Sequence, residues 1–249
     1  MVKIRIIPVL LLRGNSIVKS VCFSEHRMIG DAITAVKVFS NRKADELIIL
    51  DIDAYKNGIN YELLARLAKS AFMPLTIGGG IKCVEDAEKF FLYGADKVSV
   101  NSLFLQDPQE VTKIVDKFGS QAVCLSLDFK KIEGRYSPYF DNGKTKASLN
   151  LKECMLLAKE IKVGEILVNS IERDGVMNGF DIKLISEVSS LVDFPVIACG
   201  GCNELNDFSE AVVAGAHAVA AGSIFHWKGE SVISIKEDML RRGHNIREI

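Results

Sequence analysis

The sequence predicts a single (β/α)8 barrel, and three observations support this. Its 249 residues are close to the typical length of one such barrel. Short apolar runs alternate with amphipathic segments along the chain, which is typical of parallel strands joined by crossover helices. Two segments of 31 residues repeat one another, which predicts a TIM barrel built from two half-barrels. We therefore expect one domain over residues 1–249.

Eight apolar runs are the predicted barrel strands. The first, IRIIPVLLL, is apolar except for Arg5, as expected of a strand that is buried on both faces. Helix signals separate the runs, because Asp107-Pro108 predicts a helix start and Gly94 and Gly119 suit helix ends. The predicted strands span residues 5–10, 46–52, 74–77, 96–101, 122–128, 165–170, 195–199 and 218–221.

One insertion follows the fifth predicted strand. Residues 131–150 alternate in polarity around Asn142-Gly143, a pair that is typical of β-hairpin turns. Barrels of this kind place their active sites at the carboxyl ends of the strands. The hairpin is therefore expected to stand above the barrel mouth.

Composition argues against several classes of protein. A net charge of -1 and a pI of about 6.4 lack the basic excess of a nucleic-acid-binding protein. No apolar run approaches the roughly 20 residues of a membrane span. The apolar start of the chain is short and contains Pro8, so we interpret it as strand one and not as a signal peptide. We expect a cytoplasmic protein with no nucleic-acid or membrane partner.

The six cysteines are expected to be free thiols, as in most cytosolic proteins. Cys199 and Cys202 form a lone CxxC motif. No histidine lies at a spacing that would complete a metal site with them. We therefore predict no metal and no cofactor.

The internal repeat also predicts two anion-binding sites. Residues 74–104 align without gaps with residues 195–225, and nine positions are identical. Each copy has glycines after one strand and a small polar pair after the next, and glycine lets backbone N–H groups approach an anion closely. Two such sites across the mouth would suit an elongated ligand with a phosphate at each end, unless the glycines only form tight turns. The predicted phosphate-binding residues of the two copies are Gly79, Gly80, Asn101, Ser102, Gly200, Gly201, Gly222 and Ser223.

Four charged residues each directly precede an apolar strand run, at the predicted bottom of the barrel. Two are cations and two are anions, so they could neutralise one another there, as buried charges require. The alternative is that charges at strand starts simply face solvent or stabilise the bottom face. The four residues are Arg5, Glu46, Lys97 and Glu165.

The chain resembles the cyclase subunit of imidazole glycerol phosphate synthase over essentially its whole length. The resemblance is carried by ELIILDID, IGGGIKCVEDAEKFFLYGADKVSVNS, GSQAVCLSLD, GEILVNSIERDGVMNGFD and GGCNELNDF. It implies a phosphorylated small-molecule ligand with two phosphates and ammonia delivered through the barrel by a glutaminase docked at the bottom face. It also implies that the four charged residues form the gate of the ammonia channel. Further positions that match the family are Asp174 and Gly175, which the resemblance assigns to phosphate binding, and Lys19 and Asp51 at the active-site mouth.

The resemblance implies two catalytic aspartates, of which this chain has one. The aspartate at the end of strand five is Asp128, whereas Leu11 occupies the strand-one position. Leucine can neither accept nor donate a proton. The following loop, Arg13-Gly14-Asn15, also departs from the family pattern. Asp53 is either a substitute carboxylate or, as we favour, a helix cap or a solvated loop residue.

Two functions follow from this pattern. Loss of the strand-one aspartate favours a paralogue that channels ammonia for amidation of another substrate, such as a surface-polysaccharide sugar, together with a separate amidotransferase. Retention of Asp128 and of both predicted phosphate sites keeps open the alternative, an authentic cyclase (a lyase) of histidine biosynthesis. The sister isomerase of that pathway is less favoured, because it also uses a strand-one aspartate and does not need the four charges.

Overall fold

The computed structural model describes residues 3–247, and this part of the chain contains twelve strands. They are β1 (Arg5–Arg13), β2 (Ser16–Val21), β3 (Ser24–Asp31), β4 (Leu47–Asp51), β5 (Leu75–Gly78), β6 (Lys97–Val100), β7 (Val123–Ile132), β8 (Arg135–Phe140), β9 (Thr145–Lys146), β10 (Glu165–Ser170), β11 (Val196–Cys199) and β12 (Ala218–Ala221).

Eleven α-helices lie in the same part of the chain. They are α1 (Ala32–Asn41), α2 (Ala54–Asn57), α3 (Tyr61–Ser70), α4 (Val84–Leu92), α5 (Ser102–Gln106), α6 (Pro108–Phe118), α7 (Leu151–Ile161), α8 (Ile182–Leu191), α9 (Leu205–Val213), α10 (Ser223–Trp227) and α11 (Val232–Arg241). One 3-10 turn, Ser120–Ala122, precedes β7. None of these helices has the length and apolar character that a membrane span needs.

Eight strands form a closed parallel barrel. Their order is β10-β11-β12-β1-β4-β5-β6-β7, and pairing of β7 with β10 closes the ring. Each of the eight apolar runs identified in the sequence overlaps one of these strands, although β1, β5 and β7 extend beyond the predicted ends. The predicted (β/α)8 fold is therefore confirmed.

The two repeated segments have the same architecture, residue for residue. β5, α4, β6 and α5 of the first segment match β11, α9, β12 and α10 of the second in position and in length. The aligned glycines consequently occupy equivalent places after β5 and β11. The small polar pairs likewise follow β6 and β12.

Strand β1 shows how side chains are divided between the inside and the outside of the barrel. Successive side chains alternate between the faces of a strand, so Ile6, Leu10 and Leu12 pack outward against the helices in the larger core. Ile7 and Val9 belong to a second, smaller cluster that fills the barrel interior. The other buried members of that interior cluster are Ile48, Cys124, Leu167, Ile197, Ala218 and Ala220.

The region after strand one differs from the sequence expectation. β1 continues to Arg13 and then pairs with β2, which pairs with β3 in an antiparallel hairpin above the mouth. The sequence analysis missed both added strands. The reason is that β3 is largely exposed, so its residues have no apolar alternation that would mark a strand.

The insertion after strand five is a three-stranded antiparallel extension of the barrel wall. β7 runs on to Ile132, β8 pairs with β7, and β9 pairs with β8. The turn between β8 and β9 contains Asn142-Gly143, and a further turn at Glu133-Gly134 joins β7 to β8.

Candidate active site

The barrel mouth holds one cavity of about 670 Å³. It is lined from the carboxyl ends of strands on all sides, where barrels of this class carry their chemistry. The structure brings together in its lining the proposed catalytic, phosphate-binding and mouth residues Leu11, Lys19, Asp51, Gly79, Gly80, Asn101, Ser102, Asp128, Asp174, Gly175, Gly200, Gly201, Gly222 and Ser223.

Asp128, near the middle of the long strand β7, is held between two amides. Asn101 donates from Nδ2 to Asp128 Oδ2 at 2.7 Å, and Asn169 donates from Nδ2 to Oδ1 at 3.0 Å. Burial raises the pKa of Asp128 to about 7, the two amide hydrogen bonds oppose this, and the charge of Asp174 adds to it. A carboxyl group that titrates near neutral pH is suited to both proton donation and proton acceptance.

Leu11 lines the same cavity as Asp128. It is half-buried, and it pairs with Leu50 on β4 and with Val18 on β2. The strand-one position therefore presents a hydrocarbon surface to the mouth, where the resemblance predicts a carboxylate.

Asp53 does not supply the missing carboxylate. Its Oδ2 accepts from Arg13 Nε at 2.8 Å, outside the cavity lining. It also makes no side-chain hydrogen bond as the cap of α2. Asp51 does line the cavity and accepts from the Asp53 backbone N–H at 3.0 Å, and burial raises its pKa.

Lys19 is a buried cation on β2. Its Nζ donates to the Val9 carbonyl at 3.0 Å. Burial lowers the pKa of Lys19 to about 8, while the charge of Asp174 opposes this. The ammonium group lies so close to Gly222 that a Cβ at position 222 would overlap with it. A Cβ at position 222 would make the Lys19 ammonium group shift, so glycine there leaves space for this cation beside the loop after β12.

The loop at Asp174-Gly175 contacts the tip of the β2–β3 hairpin. Ser20 donates from Oγ to Asp174 Oδ2 at 3.0 Å, and the Cys22 N–H donates to the Asp174 carbonyl at 2.8 Å. Gly175 has φ +71°, and a Cβ there would overlap with the Ser20 carbonyl oxygen. These contacts fix the hairpin over one side of the cavity.

The four charged residues at the strand starts form a closed ring on the barrel floor. Arg5 binds Glu46 and Glu165 at 2.6 Å each, while Lys97 binds Glu46 at 3.1 Å and Glu165 at 2.6 Å. Thr76 also donates to Glu46 Oε1 at 2.6 Å. Both glutamates are buried, so these charges do not simply face solvent, and stabilisation of the bottom face is the alternative to the gate.

The ring also controls the ionisation of its own cations. For both Arg5 and Lys97, burial alone would lower the pKa, but the paired glutamates outweigh it and the pKa is raised. Both cations therefore stay charged across the physiological range. Above the ring, the small side chains of Cys124, Ser99 and Ser126 follow on the interior wall toward the cavity.

Comparison with known proteins assigns the family. A family model described as "Histidine biosynthesis protein" matches residues 5–230. The chain belongs to this histidine biosynthesis protein family. The predicted resemblance is thereby confirmed for nearly the whole chain.

Relatives within the histidine biosynthesis family cover the chain almost completely. A protein of Pseudomonas aeruginosa named "Putative imidazole glycerol phosphate synthase subunit hisF2" is 44% identical over 237 residues, which are 92% of this chain and 93% of the relative. A Campylobacter jejuni protein of the same name is 39% identical over 99% of both chains. The Chlorobium luteolum "Imidazole glycerol phosphate synthase subunit HisF" is 38% identical over 98% of both.

Two polar residues of this family member escaped the sequence analysis. Asn169 lies in the strand run EILVNS, and Thr76 lies in PLTIGGG. Neither has a local signal, since their partners Asp128 and Glu46 are distant in the sequence. Only strand pairing in the closed barrel makes them neighbours.

The CxxC motif of this family member forms no metal centre in the described residues. Burial raises the pKa of Cys199 to about 12 and raises that of Cys202 further. No group of three or more histidine, cysteine or acidic side chains within residues 3–247 is placed to hold a metal ion.

Proposed function

We propose that this chain is the synthase-side barrel subunit of a glutamine-dependent amidotransferase of the cytoplasm. It receives ammonia from a glutaminase at the barrel floor and channels it to the mouth, where a phosphorylated ligand binds. Because Leu11 occupies the strand-one aspartate position, standard cyclase activity is weakened or lost. The single observation that carries this proposal is the combination of an intact charged ring with a leucine in the mouth cavity.

The charged ring supports a role in ammonia transfer. Four alternating charges close the floor of the barrel, and the interior wall above them carries small polar groups among its apolar side chains. A ring of ion pairs can open by breaking one pair, because each cation retains a second glutamate partner. Arg5, Glu46, Lys97 and Glu165 are therefore proposed as the ammonia gate.

The cavity supports a ligand with two phosphates. The glycines after β5 and β11 and the polar pairs after β6 and β12 line one cavity in two equivalent copies. Lys19 adds a cation beside the second copy. Backbone N–H groups and a buried cation are suitable partners for phosphate oxygens.

Leu11 supports transfer of ammonia to another substrate. A cyclisation that needs the strand-one and strand-five aspartates would have only Asp128, and loss of one such group typically costs about a hundredfold or more in rate. We propose that the ammonia serves amidation of another substrate, such as a surface-polysaccharide sugar, with a separate amidotransferase. The name hisF2 of the Pseudomonas and Campylobacter relatives agrees with a paralogue.

A cyclase assay tests this proposal. The chain is given the bisphosphate substrate of imidazole glycerol phosphate synthase and a large excess of ammonia, so that no glutaminase is needed. We expect little or no turnover by the natural chain and slow turnover by Leu11→Asp. Adding Asp128→Asn to Leu11→Asp should abolish the restored activity. Robust turnover by the natural chain would favour the alternative function.

The gate is tested by Arg5→Ala in the complex with the glutaminase. The substitution opens the ring but leaves the outer rim of the bottom face unchanged. We expect glutamine-dependent ammonia transfer to fall severalfold while binding of the glutaminase changes little. Equal loss of transfer and of binding would assign Arg5 to docking instead.

The phosphate sites are tested by soaking crystals in inorganic phosphate. Anion density is expected beside Gly80 and Ser102 and beside Gly201 and Ser223. Loops that exclude phosphate from both places would contradict the bisphosphate ligand.

The alternative is an authentic cyclase subunit of histidine biosynthesis. Retention of Asp128 favours it, as does the HisF name of the Chlorobium relative. Neighbouring genes separate the two functions. Histidine genes without a second barrel homologue indicate the cyclase, whereas a sugar-modification cluster with its own glutaminase gene indicates the paralogue.

A further inference from the structure

We propose that Asn169 is a positioning residue that fixes the Asp128 carboxylate, as one half of a two-amide clamp whose other half is Asn101. The assignment of Asp128 as the acid–base group rests on the proposed function. The clamp itself is a property of this cavity and can be tested without any substrate.

The clamp is built from three neighbouring strands. Asn169 on β10 lies directly beside Asp128 on β7 in the parallel register. Asn101 directly follows β6, the neighbour of β7 on the other side. Each carboxylate oxygen therefore receives one amide N–H from a different side, at 3.0 Å and 2.7 Å. Two such bonds restrict rotation of the carboxylate about its last bond.

The observed orientation of the two amides has a cost in free energy. Asn169 Oδ1 and Asn101 Oδ1 are both buried and have no hydrogen-bond partner among the described residues. A buried polar atom without a partner costs free energy. Turning either amide around would remove its donor from Asp128 and would place a carbonyl oxygen against an anion. The observed arrangement therefore serves an ionised Asp128.

The side chain of Asn169 lies against the proposed phosphate loop after β11. Asn169 is buried, and its Oδ1 lies so close to Gly200 that a Cβ at position 200 would overlap with it. Glycine at position 200 leaves the space that the amide occupies beside Asp128, and a larger residue there would displace it. The same contact joins the acid–base residue to one of the proposed phosphate loops through a single side chain.

Other charges around the cavity also act on Asp128, and the test must separate them from the clamp. Asp174 is the charged group whose effect on the pKa of Asp128 is resolved. The ionisable residues that line the cavity besides Asp128 are Lys19, His26, Asp51, Tyr55, Lys82, Asp107, Asp141, Asp174, Cys199 and Cys202. None of them is altered by a change at Asn169, so a change in titration there reports the lost amide.

The experiment is a carbon-13 NMR titration of the Asp128 carboxyl group in the natural chain, with Asp128→Asn to identify its signal. Asn169→Leu has nearly the same size but no donor. Because a donor favours the ionised form, the apparent pKa of Asp128 should be higher in this variant by about one. Asn169→Ala also lacks the donor and is the second variant, which should raise the pKa of Asp128 as well.

Asn142→Leu is the matched control. Asn142 lines the same cavity but donates to the Ile52 carbonyl, so its loss should leave the titration of Asp128 unchanged. An unchanged pKa of Asp128 in folded Asn169→Leu or Asn169→Ala would overturn the proposal. A rise as large in Asn142→Leu would also overturn it. Robust cyclase turnover by the natural chain, or ammonia transfer that Arg5→Ala leaves unchanged, would contradict the proposed function. Neither outcome would affect the pKa measured for Asp128.

Discussion

At the scale of single residues, Asp128 shows a conflict between site chemistry and stability. Burial raises its pKa from the ordinary 3.8 to about 7. Between these values the folded protein binds a proton that the unfolded chain releases. The free energy of unfolding therefore falls as pH rises through this window, and the loss is complete above about pH 7. The ionised form that would act as a base is thus the less stable one.

We expect Asp128→Asn to stabilise the protein at pH 8. The substitution removes the charge whose burial is unfavourable, so the gain can reach about 4 kcal/mol, the value of a pKa displaced from 3.8 to about 7. The gain should vanish near pH 4, where Asp128 is protonated in the folded state. Urea unfolding at both pH values measures it. A variant that is less stable than the natural chain at pH 8 would contradict the assigned pKa.

At the scale of elements, the β2–β3 hairpin is held in place by a close backbone approach. Gly175 fits against the Ser20 carbonyl, whereas Gly14 has a similar φ of +58° and open space around it. Alanine at either position adopts an unfavourable backbone conformation. Only at position 175 does the added Cβ also push the hairpin away from the loop.

Gly175→Ala should therefore be more destabilising than Gly14→Ala. Positive φ alone costs about 1 kcal/mol, and the clash adds to this only at position 175. We also expect faster hydrogen exchange at the Cys22 N–H, whose partner is the Asp174 carbonyl. Equal stability losses in the two variants would show that the hairpin adapts without cost.

Helix α11 is joined to the barrel by a buried ion pair. Lys236 and Asp45 lie 2.6 Å apart, with side chains only 1% and 4% exposed. Lys236 also donates to the Lys43 carbonyl, and Asp45 accepts from the Ile6 N–H. The pair thereby connects the last described helix to the start of β1.

Lys236→Met should destabilise the protein by about 3–5 kcal/mol, because it leaves Asp45 buried without its cation. Adding Asp45→Asn should recover part of the loss, since an amide oxygen still accepts from the Ile6 N–H and carries no charge. Guanidinium unfolding of the single and double variants measures both effects. A double variant that is less stable than Lys236→Met would contradict this explanation.

At the scale of the whole molecule, the floor ring connects the two half-barrels. Arg5, Glu46 and Lys97 come from the first four barrel strands and their starts, and Glu165 comes from the second half. Glu165 makes two of the four ion pairs. The same ring that is proposed to pass ammonia therefore also holds the halves together.

Glu165→Gln should be costly for stability, by about 3–5 kcal/mol, because Arg5 and Lys97 each lose one buried partner. Glu160→Gln on the exposed side of α7 is the control and should change stability by less than about 0.5 kcal/mol. Thermal and urea unfolding of both variants provide the comparison. A mild effect at Glu165 would show that water replaces the missing carboxylate in the ring.

The sequence by itself determined the barrel, the half-barrel repeat and the residues of the floor ring and of the mouth glycine loops. These features depend on local patterns, namely apolar runs, charges that precede them and glycines that follow them. Only the tertiary structure decided which polar groups meet. Asn169 donates a hydrogen bond to Asp128, which is 41 residues away in the sequence. Lys236 likewise binds Asp45 at a separation of 191 residues, and Arg13 binds Asp53 at a separation of 40. Such contacts depend on strand register and barrel closure, which no local pattern contains.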